Sequence, residues 1–331
     1  MSALPIEGKD KALPQLFVND GPLAPERVAR LKPSSPDEPV EDLRARLHSD
    51  GYLFLKQLMP RADVLKAREE YFKFLSPSGV LKPGSAPVNG IYDSSKDTSA
   101  FPGIGAGSTG ENSRPSAEQA QLFVDLAIQA HREDWYAETF CRNTVLSAFI
   151  ARLTGWGDKT LLLRRSLLRN NIPGTKAIGV HYDQIFLRWG DLSNLTAWCP
   201  MGDISIDGGG LIYLESSQEL AEQFENDFSE RAKESRFSET DSKNAFNSNM
   251  LSNGLLSNDP AKFGQRHGKR WLASDYEAGD VVLHLPYMIH ASTINYSPED
   301  VIRLATDIRF CDSSRPYDKR WCNFFDVNDG V

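Results

Sequence analysis

Cysteine is scarce in this sequence of 331 residues and nowhere organised: Cys141, Cys199, Cys311 and Cys322 stand far apart, with no CxxC pair. That argues against a zinc ribbon, a thioredoxin-type dithiol and a disulfide scaffold, and leaves buried free thiols as the expectation. No run approaches the ~20 apolar residues needed to span a bilayer, and the opening MSALPIEGKDKALPQ lacks the apolar stretch of a secretory signal. A reducing, cytoplasmic setting is expected, and the closing Asp329-Gly330-Val331 is not the Ser-Lys-Leu peroxisomal address. Basic charge is in deficit as well: 37 Lys and Arg against 45 Asp and Glu give a net charge of -8, so no broad grip on nucleic-acid phosphates is expected.

What is present suits a globular chain. Hydrophobic residues make up 40% and charged residues 25% of the sequence, enough apolar content for a sizeable core. Residues 1–38 are rich in Pro and charge, with a short helical hint at Pro25–Leu31, and read as an arm over the main body. From Pro39 the spacing predicts a helix, a break at Asp50-Gly51, a strand at Tyr52–Leu55 and a second helix to Leu75. Residues 76–116 read as a long loop that faces a substrate, and 117–153 return to helical spacing. Short runs then follow, rich in β-branched, Leu and aromatic residues and separated by Gly, Pro, Asp or Ser: LLLRRSLLRNN, AIGVHYDQIFLRW, NLTAWCPMGD, GGLIYLESS, DVVLHLPYMIHAS and VIRLATDIRFCD. Such a series fits a sandwich or barrel better than a βαβ sheet. The polar stretch 218–273 reads as an insertion, and 313–331 as a tail. One domain over 39–312 is expected, a β core under an N-terminal helical layer.

The sharpest chemical signal is Val180-His181-Tyr182-Asp183. On a strand, His181 and Asp183 point the same way, as two metal ligands must. Downstream, Gly279-Asp280 leads into VVLHLPYMIH, which ends at His290, and Arg303 follows thirteen residues later. Two His and one carboxylate suit non-haem Fe(II), leaving coordination positions open for a bidentate cosubstrate and O₂. An Arg on a neighbouring strand would fork onto the far carboxylate of a 2-oxo acid. His284 is the alternative second imidazole. If Arg169 and Asn171 face inward beside the ligands, they too would touch substrate or cosubstrate.

These parts, together with Thr196-Ala197-Trp198, the run Asp207–Leu211, GDVVLHLPYMIHASTINYS and IRLATDIRF, resemble the phytanoyl-CoA dioxygenase type of Fe(II)/2-oxoglutarate-dependent oxygenase. The resemblance covers roughly Pro39 to Phe310. It implies a double-stranded β-helix (jelly-roll, cupin-like) core, with His181, Asp183 and His290 as iron ligands. It also implies Arg303 as the 2-oxoglutarate clamp, with Arg309 as fallback on the same run. Oxidation of a C–H bond of a small metabolite would follow, with release of succinate and CO₂. The carboxylate at position 183 fills a place that a halide would need, which favours hydroxylation, desaturation or oxidative cyclisation over halogenation. An amino-acid-derived compound or an intermediate of specialised metabolism is the expected substrate. No nucleic-acid or membrane partner is expected, and the oligomeric state is left open, a homodimer being one option. Two other readings stand beside this one: a cupin-like protein that binds a ligand without catalysis, and a zinc hydrolase or isomerase using the same His/Asp/His set.

Weaker signals complete the inventory. Gly105–Gly110 fits G-x-G-x-x-G but follows no strand and opens no clear helix, so it reads as a loop. Arg164, Arg165 and Arg169 read as outward charges mixed with one inward contact. Trp198 reads as core packing. His48, His131 and His267 read as ordinary histidines. The segment around Phe101-Pro102-Gly103 and the aromatic tail Tyr317, Trp321, Phe324 and Phe325 are candidates to close over a substrate or simply to pack.

Overall fold

A helical layer comes first in the chain and explains itself by spacing. In the computed structural model, which describes residues 13–104, 117–234 and 255–326, α1 (Val40–Asp50) buries Leu43 and Leu47, four apart on one face. It ends at Gly51, whose φ of 79° is left-handed and costs glycine little. After β5 (Tyr52–Leu55), α2 (Arg61–Leu75) buries Val64, Ala67, Tyr71 and Leu75 in the same manner. Three 3₁₀ turns follow between residues 76 and 100, and the next described elements are α3 (Glu118–Gln129), a π-helical turn (Trp135–Phe140) and α4 (Thr144–Thr154). The glycine motif at 105–110 lies outside the described residues.

These helices cover the outer face of a seven-stranded sheet. Its members are β4 (Pro33–Ser34), β5, β6 (Thr160–Leu162), β7 (Leu167–Asn171), β8 (Asn194–Pro200), β11 (Val281–His284) and β13 (Arg303–Asp312). A second sheet of four strands comprises β3 (Val28–Arg30), β9 (Leu211–Leu214), β10 (Trp271–Ala273) and β12 (His290–Ser292). A small ribbon, β1 (Phe17–Val18) and β2 (Gly21–Pro22), precedes them. The expected mainly β, jelly-roll architecture with an N-terminal helical layer is what the chain forms.

Strand alternation sorts the core into three layers. Between the helices and the large sheet lie Leu53, Ala197, Leu283, Leu304 and Ile308, packed against Leu43, Phe72, Phe123 and Ile150. Between the two sheets lie Tyr52, Phe54, Trp198, Leu211, Tyr213, Leu272 and Val282. Outside the small sheet, Ile212, Leu214, Trp271 and Ala291 pack under Ala221 of α5 (Gln218–Glu234) and Phe263 of α6 (Pro260–Arg266). Each large apolar side chain among them gains roughly 1.5–3 kcal/mol by leaving water.

Three expectations need correction. The segment read as an arm supplies strands to both sheets: β3 runs parallel to β10, and β4 parallel to β5. Its helical hint amounts to one 3₁₀ turn, Pro25–Arg27, before β3 begins. The stretch read as an insertion carries α5 and α6 but closes on β10, a core strand joined to both β9 and β3. Strands of two or three residues carry too little alternation to be seen in sequence. As for the thiols, Cys141, Cys199 and Cys311 are buried while Cys322 is exposed.

Two buried polar side chains tie the layers together. Arg68 on α2 donates to four carbonyls, those of Val88, Asn89, Met201 and Ile302, and lies over the Phe72 ring. His131, just after α3, accepts from the Leu168 N–H of β7 at Nε2, 3.0 Å away, which leaves Nδ1–H to donate to Ala127 O at 3.0 Å. Burial pulls its pKa down from 6.5 to about 4. A second proton would set an N–H against the Leu168 N–H. Because the unfolded chain binds that proton more readily, stability is fully present above pH 6.5 and is lost as pH falls toward 4. The loss amounts to about 3 kcal/mol when complete. Urea unfolding across this range should show the decline, and His131→Gln should remove much of the slope.

Candidate metal centre

The site forms where the two sheets face each other. His290 opens β12, and its backbone exchanges both hydrogen bonds with His181, at 3.0 and 2.8 Å. His181 lies in extended chain that meets its neighbours only at single bridges, Val180 to Ser257 and His181 to His290. Asp183 begins a 3₁₀ turn. The tripeptide is therefore not part of a regular strand, contrary to the expectation from its sequence. Tyr182 is nonetheless extended, with φ -136° and ψ 150°, and points away from the site. Its hydroxyl donates to Glu225 of α5 at 2.6 Å, and Arg188 grips the same carboxylate at 2.7 and 2.5 Å. Helix α5 thus braces the tripeptide from behind.

His181, Asp183 and His290 each offer one donor atom, and the three atoms lie within 4.8 Å of one another. The imidazole centroids are 4.2 Å apart. Each Nδ1 is held by a backbone carbonyl, His181 by Gly179 and His290 by Met288, both at 2.9 Å. That bond fixes the tautomer and leaves the Nε2 lone pair free. Burial lowers both pKa values, so the rings stay neutral. Asp183 is 1% exposed. Burial alone would raise its pKa, but the Arg309 guanidinium at 3.0 Å and the His284 ring at 3.2 Å hold it well below the usual carboxylate range. Thr196 Oγ1 donates to the same oxygen, Oδ2, that faces His284. Two neutral imidazole nitrogens and one ionised carboxylate in a dry seat are the donor set that a divalent transition metal takes.

His284, the alternative imidazole, stands behind Asp183 and contacts the Tyr213 hydroxyl at 3.2 Å. It belongs to the carboxylate's support. Arg309, the fallback clamp, pairs with Asp183 and lies over the Trp321 ring at 4.6 Å. Arg303 occupies a different place. It is 4% exposed, with Nε on Gly209 O at 2.9 Å and Nη2 near Ser292 Oγ at 3.4 Å. Gly209 has φ +82°, and a Cβ there would lie 2.9 Å from that of Asn295, so only glycine presents this carbonyl without strain.

Register places the remaining candidates. Arg303 pairs with Asn171, and Ala305 with Arg169, so all four face inward. Arg303, Arg169, His181, His290, Trp198 and Asp307 surround a space of about 10 Å³, the size of one water or ion position. It adjoins a cavity of about 260 Å³, also lined by Arg169 and Arg303 together with Asn171, Phe101, Ile104 and Ile178. Phe101 therefore reaches the candidate site. The aromatic tail does not: Trp321 and Phe325 flank the buried Arg165, and Phe325 stacks on His131 at 5.0 Å. Trp198 packs edge-on against Tyr276 and also borders the seat. Reading sequence alone missed Ser292, Thr196, Tyr213 and Glu225. Ser292 stands two residues beyond His290 on β12, so alternation alone would have found it.

A family model described as phytanoyl-CoA dioxygenase (PhyH) matches residues 47–305. Among solved structures, the chain is similar to the non-haem α-ketoglutarate-dependent carbocyclase SnoK from nogalamycin biosynthesis, at 16% identity and TM-score 0.50 over 85% of this chain and 87% of that one. It is also similar to the epimerase SnoN from the same biosynthesis, at 15% identity, TM-score 0.45 and 82% of each chain. EctD from S. alaskensis matches at 14% identity and TM-score 0.45 over 90% of this chain and 88% of that one. The SnoK likeness supports the fold. No curated protein sequence matches. Among the described residues, no helix is long and apolar enough to cross a membrane.

Arg188 and Glu225 keep only 11% and 14% of their side chains exposed. Removing one charge of so enclosed a pair leaves the other unpaired. Glu225→Gln should lower stability by about 2 kcal/mol or more, measured by denaturant unfolding; an unchanged midpoint would count against the brace.

Proposed function

The chain belongs to the phytanoyl-CoA dioxygenase family, and we propose that it oxidises a C–H bond of a small metabolite at iron held by His181, Asp183 and His290. Membership makes it a non-haem iron(II)/2-oxoglutarate-dependent enzyme, with Fe(II), 2-oxoglutarate and O₂ as cofactor and cosubstrates. The readings as a non-catalytic binder or a zinc hydrolase are thereby set aside. The observation that carries the assignment is the convergence of two Nε2 lone pairs and an ionised carboxylate beside a buried guanidinium on the next strand.

Bound iron with 2-oxoglutarate and O₂ supplies the oxidation, 2-oxoglutarate leaving as succinate and CO₂. The chain supplies the rest. The carbonyls of Gly179 and Met288 orient the two rings. Arg309, His284 and Thr196 keep the Asp183 carboxylate charged and oriented. In this reading Arg303 receives the distal carboxylate of 2-oxoglutarate, and the Ser292 hydroxyl beside it adds a second contact. Burial lowers the Arg303 pKa only to about 10, so it stays cationic near neutrality. Leu167, Ile178, Leu211 and Trp198 line the seat and keep water out. The adjoining cavity of about 260 Å³ supports a substrate of metabolite size, which we take to be amino-acid-derived or an intermediate of specialised metabolism. The outcome is hydroxylation, desaturation or oxidative ring closure.

Two substitutions test the assignment. His181→Ala should keep the fold by circular dichroism, lose metal binding in equilibrium dialysis and abolish succinate formation; turnover at the parent rate would remove His181 from the ligand set. Arg303→Leu should raise the 2-oxoglutarate concentration needed for half-maximal succinate release about tenfold or more and leave iron affinity near the parent value. An unaltered requirement would assign the clamp elsewhere.

A further inference from the structure

Arg169 is a buried guanidinium that makes no hydrogen bond or ion pair with the described residues; Asp307, diagonal to it across the strands, acts on it only at longer range. Arg169 faces inward from β7 and is 9% exposed, and its Nε has no hydrogen-bond partner. Among the described residues none forms an ion pair with it. Its partner across the strands is Ala305, one step along the face from Arg303 and Asn171. The two guanidiniums thus stand diagonally beside one another, and each borders both the small seat and the larger cavity. They differ in how they are held. Arg303 is anchored through Gly209 and Ser292, whereas Arg169 is free to meet a ligand.

Charge balance sharpens the contrast. Facing the interior from β7 and β13 and from Asp183 are three guanidiniums, of Arg169, Arg303 and Arg309, and two carboxylates, of Asp183 and Asp307. Iron(II) and the 2-oxoglutarate dianion cancel one another, so the loaded site keeps one positive charge in excess. A buried charge without a partner is costly, and a site that retains one is built for an anion.

Resting on the cosubstrate assignment above, we infer that Arg169 receives a carboxylate of the substrate, which makes the substrate a compact monoanion with an apolar body. Asn171, whose buried Oδ1 also has no partner, supplies a second polar contact on the same wall. Phe101, Ile104 and Ile172 supply the apolar surface. The cavity of about 260 Å³ has to hold 2-oxoglutarate as well, because the seat has room for one ion only, and the remaining space takes a small organic acid.

The test uses the full-length protein loaded with zinc, which supports binding without turnover. Calorimetry measures 2-oxoglutarate affinity first. The 2-oxoglutarate-saturated protein is then titrated with phenylacetate and hexanoate, and separately with phenylacetamide and hexanamide. The parent should bind the acids about tenfold or more tightly than the amides, as expected of a charge-assisted contact. Arg169→Gln should lose that preference and keep 2-oxoglutarate affinity within about threefold, while Arg169→Lys retains a reduced preference. Arg303→Leu should do the reverse and lose 2-oxoglutarate. Equal binding of acids and amides by the parent overturns the inference, whether or not Arg169→Gln folds. So does an Arg169→Gln protein that loses 2-oxoglutarate as severely as Arg303→Leu, since Arg169 would then serve the cosubstrate. A parent that binds zinc but no 2-oxoglutarate overturns the cosubstrate reading, and this inference with it.

Discussion

Asp183 is sealed from water and kept charged, and much of the interior is arranged to meet that demand. An isolated carboxylate in so dry a place would take up a proton. Arg309 prevents this from β13, and His284 and Thr196 hold the second oxygen from β11 and β8. The three supporting strands are consecutive neighbours in the large sheet, with Thr196 in register with both His284 and Arg309. One row across the sheet therefore carries the whole support, while His290 approaches from the opposite sheet. The demand explains why polar side chains occupy inward positions that would otherwise hold Val or Leu.

How much of this was legible in the sequence depends on whether the signal was local. His181 and Asp183 were visible because their spacing implies a shared face, whereas His290 and Arg303 were singled out by the resemblance of their runs to those of the family. The strands β8, β9, β11 and β13 carry enough β-branched and aromatic residues to be recognised. By contrast, β3, β4 and β10 are two or three residues long, and their place depends on partners remote in the chain. No local pattern announces a parallel pairing between residues 28 and 271. Arg309 was seen only as the fallback for Arg303, and its pairing with Asp183 was not foreseen, because sequence indicates the face of a side chain and not its partner. The brace from Glu225 to Tyr182 joins residues more than forty apart through side chains alone. Composition could never have shown it.

The division of labour among the arginines follows from what each already holds. Arg68 spends its donors on backbone carbonyls and belongs to the scaffold. Arg309 is committed to Asp183, and Arg165 lies between the aromatic rings of Trp321 and Phe325. These interactions exist in the folded chain before any ligand arrives, so they maintain geometry and cannot discriminate among substrates. Arg303 is half committed: Gly209 and Ser292 hold its position while charge remains for an incoming carboxylate. Arg169 alone of this group has no hydrogen-bond or ion-pair partner among the described residues. A guanidinium that folding leaves unsatisfied is worth most to a ligand, because the cost of burying it has already been met. Specificity in this cavity is therefore expected to lie with β7 and not with the metal seat, whose side chains answer to the ion.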